Sequence, residues 1–299
     1  MRIHVDTDLG GDPDDGCALV MLLGWPDVEI SGITTVDDPG GRRAGLVAHL
    51  LRLAGHDEIP VAAGAEASLS TGWPCGTIRD DRRYWPEPVP PRPAPPGATA
   101  RLVRDSIDAG ATIAAIGPLT NLAQLVLDQP TALAGVPVVV MGGWLGPLGR
   151  GLPDWDAARD YNVQADLRAA EILAGAGADL TLVPITTTVH APLRVTDLAR
   201  LCAGGELGRL LEEQSAAYAA DRNYAALGAA HAALPDDLVN FHHDPLACAV
   251  AAGWPGVTIT EQRLADGPFA GKPVRVATSV AGEAFAARWL DAVEAAQLR

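Results

Sequence analysis

Residues 5–16 read VDTDLGGDPDDG, and this stretch decides the fold. It joins an apolar, strand-like run at 2–6 to an Ala/Leu-rich run of helical period at 14–23. Strand, glycine-bearing polar loop and helix is the opening unit of an α/β sheet. Outward from it the same alternation recurs, with strands expected at 28–36, 61–63, 112–116, 138–141 and 180–184. Helices are expected at 44–54, 98–108, 121–127 and 167–174, the last with Asp166 as N-cap. The fold class is therefore α/β: an open, mostly parallel sheet flanked by helices, with a C-terminal helical and β extension.

Two stretches interrupt the rhythm and are long enough to be working loops. Residues 72–97 include YWPEPVPPRPAPPG, whose proline density predicts a semi-rigid extended surface strap. Residues 142–160, GGWLGPLGRGLPDWDAARD, are rich in glycine, tryptophan and acids. Beyond them come helical segments over 206–227, short strands near 257–260 and 274–278, and a helix from about 282. Neither an internal repeat nor a separating linker is visible, so residues 1–299 are expected to form one domain.

The 299 residues are 48% hydrophobic and 20% charged, enough for a large core and incompatible with a disordered chain. A net charge of -15, with Lys272 the sole lysine, disfavours nucleic-acid or anionic-membrane partners. Cys17, Cys75, Cys202 and Cys248 are scattered singly, as expected of free thiols in a reducing compartment. With no leader-like segment at the N-terminus and no apolar run near the roughly 18 residues of a membrane span, a cytoplasmic location is expected.

Five acids, Asp6, Asp8, Asp12, Asp14 and Asp15, crowd the loop after the first strand. Carboxylates so close raise one another's cost of ionisation, and a bound cation removes that cost. Their hard oxygens suit Ca²⁺ or Mg²⁺, and the carboxyl ends of parallel strands are where open α/β sheets bind ligands. Helix capping by Asp12 accounts for one acid but not for five. The spacing fails the helix-loop-helix calcium pattern, because Gly10 stands where its third acid belongs. A second acid arrives far along the chain in NFHHDPLACAV, where His243 and Asp244 precede an apolar helical run. Asp244 could ligate a metal and His243 exchange a proton, or Asp244 could simply cap a helix that has Pro245 at its first position.

Together these residues resemble the inosine-uridine-preferring nucleoside hydrolase family, calcium-dependent N-ribohydrolases. DTDLG followed by Asp14-Asp15 matches its N-terminal signature. GITTV at 32–36, AGA at 63–65, IGPLTNLA at 116–123, VVVMGGW at 138–144, Tyr161-Asn162 and HDP at 243–245 follow in the family's order. The resemblance implies that Asp8, Asp15 and Asp244 give carboxylates to Ca²⁺ and Thr120 its backbone carbonyl. Asp14, Asp160 and Asn162 would then bind the ribose, with Asp160 in place of the usual glutamate. Asp8 would be the base that activates water, and His243, or His242 beside it, would protonate the leaving base. Asp6 would brace the loop. A homodimer or homotetramer is implied as well.

That chemistry is coherent on physical grounds. Cleaving an N-glycosidic bond needs an activated water on one face of the sugar and a stabilised leaving base on the other, through an oxocarbenium-like transition state. The sequence also departs from the family. Asp37, Asp38 and Pro39 follow GITTV where a ribose-binding asparagine is usual, and Asp154 and Asp156 occupy a region that usually offers another. A glycine-rich segment is replaced by WPCGTIRDDRRYW, whose Arg79, Arg82 and Arg83 either face a charged substrate or form a solvated run. Trp85, Trp144, Trp155 and Tyr224 are candidate stacking surfaces for a base. Two other readings remain open at this level. One is a calcium-containing binding protein of the same fold. The other is a Mg²⁺-dependent phosphatase of the haloacid-dehalogenase type, with Lys272 holding the phosphoryl group.

Overall fold

The computed structural model describes residues 1–203 and 205–296. Its strands are β1 (Arg2–Thr7), β2 (Glu29–Thr35), β3 (Val61–Ala63), β4 (Thr112–Ala115), β5 (Pro137–Met141), β6 (Asp179–Val183), β7 (Pro192–Arg194), β8 (Leu238–Phe241), β9 (Val257–Arg263) and β10 (Pro273–Val280). The helices are α1 (Asp14–Gly24), α2 (Arg42–Leu53), α3 (Ala98–Asp108), α4 (Thr120–Asp128), α5 (Tyr161–Gln164), α6 (Leu167–Gly175), α7 (Ile185–Thr188), α8 (Val195–Ala203), α9 (Gly205–Arg222), α10 (Tyr224–Ala230), α11 (His243–Ala251) and α12 (Gly282–Ala296).

Eight strands form one sheet in the order β3-β2-β1-β4-β5-β6-β10-β9, all parallel except the β10–β9 edge pair. The central strands are nearly continuous apolar runs because helices cover both faces. Ile3 and Val5 of β1, and Val138 and Val140 of β5, are buried. The chain order reverses between β1 and β4, so the loops leaving their carboxyl ends flank a crevice. The acidic loop leaves β1 there, and the segment containing Thr120 leaves β4 beside it.

A small antiparallel pair, β7–β8, lies outside the main sheet and delivers His242 and His243 to the start of α11. The helical segments expected over 206–227 are two helices, α9 and α10. Asn223 between them has φ 53°, a left-handed conformation that ends the first helix. Asp166 caps α6 as expected, accepting the amide of Ala169, and also accepts from Leu69, Ser70 and Thr120. α12 packs along α1, where the Trp289 indole donates to the Cys17 carbonyl at 3.3 Å. No helix among the described residues is long and apolar enough to cross a membrane.

Candidate active site

The loop between β1 and α1 folds so that its acids point into a cavity of about 460 Å³ rather than into solvent. Asp8, Asp12, Asp14 and Asp15 line it from one side, and His243 and Asp244 enter from α11. One carboxylate oxygen from each of Asp14, Asp15 and Asp244 falls within 4.8 Å of the others. All three residues are buried. Burial first and the charge of neighbouring acids second, Asp12 for Asp14, Asp8 for Asp15 and Asp14 for Asp244, push their carboxyls well above the usual range. Such a set suits a hard divalent cation.

Local bonds hold each acid in place. The Thr7 hydroxyl donates to Asp15, and Asp14 accepts the Asp244 amide at 3.2 Å, tying the two loops together. Asp12 accepts from the Asp14 amide at 3.2 Å and from Asn240 Nδ2 at 2.6 Å, so it ties the start of α1 to β8, although the N-cap position itself is Pro13 and not Asp12. Asp8 is half-buried, and burial raises its carboxyl to about 6 despite the nearby Arg43. Its Oδ1 lies 3.0 Å from where a Cβ on Gly117 would stand, which is why the chain leaving β4 carries glycine there. Asp6 sits below the site, accepting from Thr34 at 2.5 Å and from Asn121 Nδ2 at 2.7 Å; burial lifts it to about 7. It braces β1, β2 and α4, as expected of a supporting acid.

His243 lines the cavity, with Nδ1 2.6 Å from the Thr188 hydroxyl and its ring 5.3 Å from that of Phe241. Burial lowers it to about 4. His242 faces the other way, packed 4.3 Å from Trp289 and 5.6 Å from Phe285. Of the two histidines, only His243 reaches the cavity. The helix begins at His243 with no side-chain cap, so Asp244 lies in its first turn and is not the N-cap.

Asn162 is on the wall, its amide nitrogen donating to the Ile116 and Met141 carbonyls at 3.0 and 3.1 Å. Four other expectations fall elsewhere. Asp160 is buried behind the wall, accepting the Gly143 amide at 2.8 Å, because the glycine pair after β5 turns its N–H inward. Burial raises its carboxyl to about 6. Asp38 is drawn to the start of α2, accepting from Thr35, Arg43 and Ala44. Asp154 is exposed and off the wall. Thr120 is buried off the cavity wall at the start of α4, its hydroxyl donating to Asp166 at 2.7 Å. Of the aromatic candidates, Trp155 and Tyr224 line the cavity, whereas Trp85 packs against His49 in the core and Trp144 lies off the wall.

Sequence reasoning missed Arg43. Fully buried on α2, it donates to the Asp8, Leu9 and Asp37 carbonyls and pairs with the Asp37 carboxylate at 3.1 Å. Asp37 in turn accepts the amides of Cys75 and Gly76 at 2.7 Å each, seating the proline-rich strap on the site. Gly76 is glycine because a Cβ there would meet the Tyr161 hydroxyl at 2.6 Å and Arg43 at 2.9 Å. No local pattern marks Arg43, since its partners come from three other segments. Lys272 donates to the Ala174 carbonyl at 2.6 Å and is not on the cavity wall, which argues against the phosphatase reading.

Comparison with known proteins fits this geometry. Over 217 residues the chain is 31% identical to uridine nucleosidase 1 of Arabidopsis thaliana, covering 68% of this chain and 62% of that protein. Over 215 residues it is 30% identical to the pyrimidine-specific ribonucleoside hydrolase RihA of Salmonella paratyphi A, covering 69% and 67%. The chain thus spans about two thirds of the length of these relatives. A solved purine-preferring ribonucleoside hydrolase from Gardnerella vaginalis superposes with a TM-score of 0.77 at 22% identity, covering 100% of both chains, and so shares the fold. The family model for inosine-uridine preferring nucleoside hydrolases matches residues 3–294, and the chain belongs to that family.

Proposed function

We propose that this protein hydrolyses the N-glycosidic bond of a ribonucleoside or nucleoside-like substrate, giving ribose and free base, with Ca²⁺ as cofactor. The observation that carries the reading is the meeting of Asp14, Asp15 and Asp244 on the floor of a cavity whose wall holds Asn162 and His243. The donor set fits a divalent cation: the carboxylates are buried and mutually repulsive, and the nearby Arg43 is already engaged with Asp37. Asp8, Asp15 and Asp244, with the Thr120 carbonyl, would hold it. When bound, the ion supplies the positive charge that acidifies a water and fixes vicinal hydroxyls.

Asp8 then takes the proton of the attacking water. The new C–O bond forms at the anomeric carbon as the C–N bond breaks and its electron pair leaves with the base. The Thr188 hydroxyl, 2.6 Å from Nδ1, orients the His243 ring, which as the imidazolium would pass its Nε2 proton to the departing base and return to neutral imidazole. Asp14 and Asn162 orient the sugar. Trp155 and Tyr224 offer faces for the base. The chain is proposed to act as one domain, in a homodimer or homotetramer, in the cytoplasm; its cysteines are free among the described residues, in keeping with a reducing compartment.

The test is base and ribose release from purine and pyrimidine ribonucleosides, deoxynucleosides and 5′-substituted analogues, with Ca²⁺ and again with chelator. Release that chelator removes, and that Asp8→Ala abolishes, is the expected result. Full activity in Asp8→Ala overturns the assignment, and tight binding of nucleosides without any release establishes a binding protein instead.

A further inference from the structure

The cavity is electrically two-ended. Its floor is acidic, yet four of the 22 cationic residues of a chain whose net charge is -15 stand on its walls: Arg43, Arg79, Arg159 and Arg222. Arg43 is spent on Asp37 and the carbonyls of the acidic loop. Arg79 pairs with Asp221 at 2.8 Å, and its guanidinium lies 5.4 and 5.3 Å from the rings of Tyr84 and Tyr218.

Arg159 and Arg222 are different. Both are exposed, and neither is in an ion pair among the described residues. Each is held by stacking: Arg159 lies 5.2 Å from the Trp155 ring centre and Arg222 5.9 Å from that of Tyr218. A guanidinium stacked on an aromatic face presents its in-plane N–H edge outward, and that edge matches phosphate or carboxylate oxygens in a bidentate fork; Arg222 shares part of its edge with the Tyr224 hydroxyl and keeps its remaining N–H groups. They come from two separate segments, the loop before Asn162 and the end of α9, and they converge on one cavity. The acidic loop already has Arg43 against it, donating to the Asp8 and Leu9 carbonyls.

Building on the N-ribohydrolase reading, we infer that the substrate is anionic: an N-ribosyl compound whose diol faces the carboxylate floor and whose negatively charged substituent meets Arg159 and Arg222. A 5′-phosphate and a carboxylate on the base present the same chemistry to these arginines.

The test is binding to the Ca²⁺-loaded Asp8→Asn protein, where turnover is blocked, alongside kcat/KM for the unaltered enzyme. Probes are adenosine and uridine, AMP and UMP for the phosphate, and orotidine for the carboxylated base. At least one anionic probe is expected to bind about tenfold or more tightly than its neutral counterpart, with a preference that shrinks as salt rises. Adding Arg159→Gln with Arg222→Gln should bring that ratio close to one, while the Lys pair retains most of it. Preference for AMP and UMP places the anion at the sugar, and preference for orotidine places it on the base. Neutral nucleosides binding as well as all three anions, or a preference that survives the Gln pair, overturns the inference. Hydrolysis of neutral nucleosides with anions excluded removes this proposal and keeps the N-ribohydrolase. Arginine-dependent binding of anions with no base release from any probe does the reverse.

Discussion

The floor and the rim of the cavity are built by opposite rules. The floor uses the ends of regular elements, β1 running into α1 and β8 into α11, and buries acids beside acids. The rim uses loop segments and a helix end, exposes its cations and steadies them on aromatic rings and on Asp221. Precision of position is bought at the floor with electrostatic strain, whereas the rim keeps its charges in comfortable, solvated settings. Arg43 joins the two, fully buried yet touching both the acidic loop and the strap. Under the proposed reading, the floor would carry the chemistry along with the stability cost, and the rim the choice of substrate.

The sharpest way to break this contrast is Asp15→Asn. Losing one floor carboxylate should cut kcat/KM about 10³-fold or more, measured as ribose release at saturating Ca²⁺. A loss of only a few-fold would mean that the floor does not carry the reaction. Next in size is Arg43→Met, which leaves Asp37 buried without its cation and frees the strap. Urea unfolding should show a loss of about 3 kcal/mol or more, against about 0.5 kcal/mol or less for Arg159→Gln. Equal losses would erase the distinction between buried and exposed cations.

The smallest effect sharpens the electrostatics of the floor. Burial raises Asp6 to about 7 and Asp8 to about 6, above the roughly 3.9 of an unfolded aspartate. Groups raised in this way contribute stability that is full below about pH 4 and lost as pH climbs through 6 and 7. Buried His4, His242 and His243, lowered to about 3, 3 and 4, pull the other way over the same range, so the acids are isolated by comparison with Asp8→Asn: the melting temperature of the metal-free protein relative to that variant should be higher at pH 5 than at pH 8, and added Ca²⁺ should stabilise the protein more at pH 8, where protons no longer compete. A difference that is flat across this range, with an equal Ca²⁺ increment at both ends, would show that the acids are not strained.

Much of the fold was legible because buried parallel strands are apolar and β-branched, as VVVM in β5 shows, and because the loop after β1 spells its acids in one run. His243 and Asp244 were legible only through the order of motifs. Arg43 was not, since an arginine in a helix reads as solvated until its partners from Asp8, Leu9 and Asp37 are assembled around it. Asp160 matched a motif position, yet the turn at Gly142 and Gly143 captures it behind the wall, a matter of backbone direction that spacing does not encode. The choice between His242 and His243 depended on Phe285 and Trp289, more than 40 residues downstream.

The packing of α12 against α1 has a consequence for synthesis. Trp289 props up both the helix whose first turn carries Asp14 and Asp15 and the histidine next to His243. The strands that frame the crevice leave the ribosome long before that prop does. A nascent chain thus holds its acidic loop on an unsupported scaffold until residue 289 emerges, and a ribosome stalled shortly before that point would release a protein with most of its sheet and no working centre.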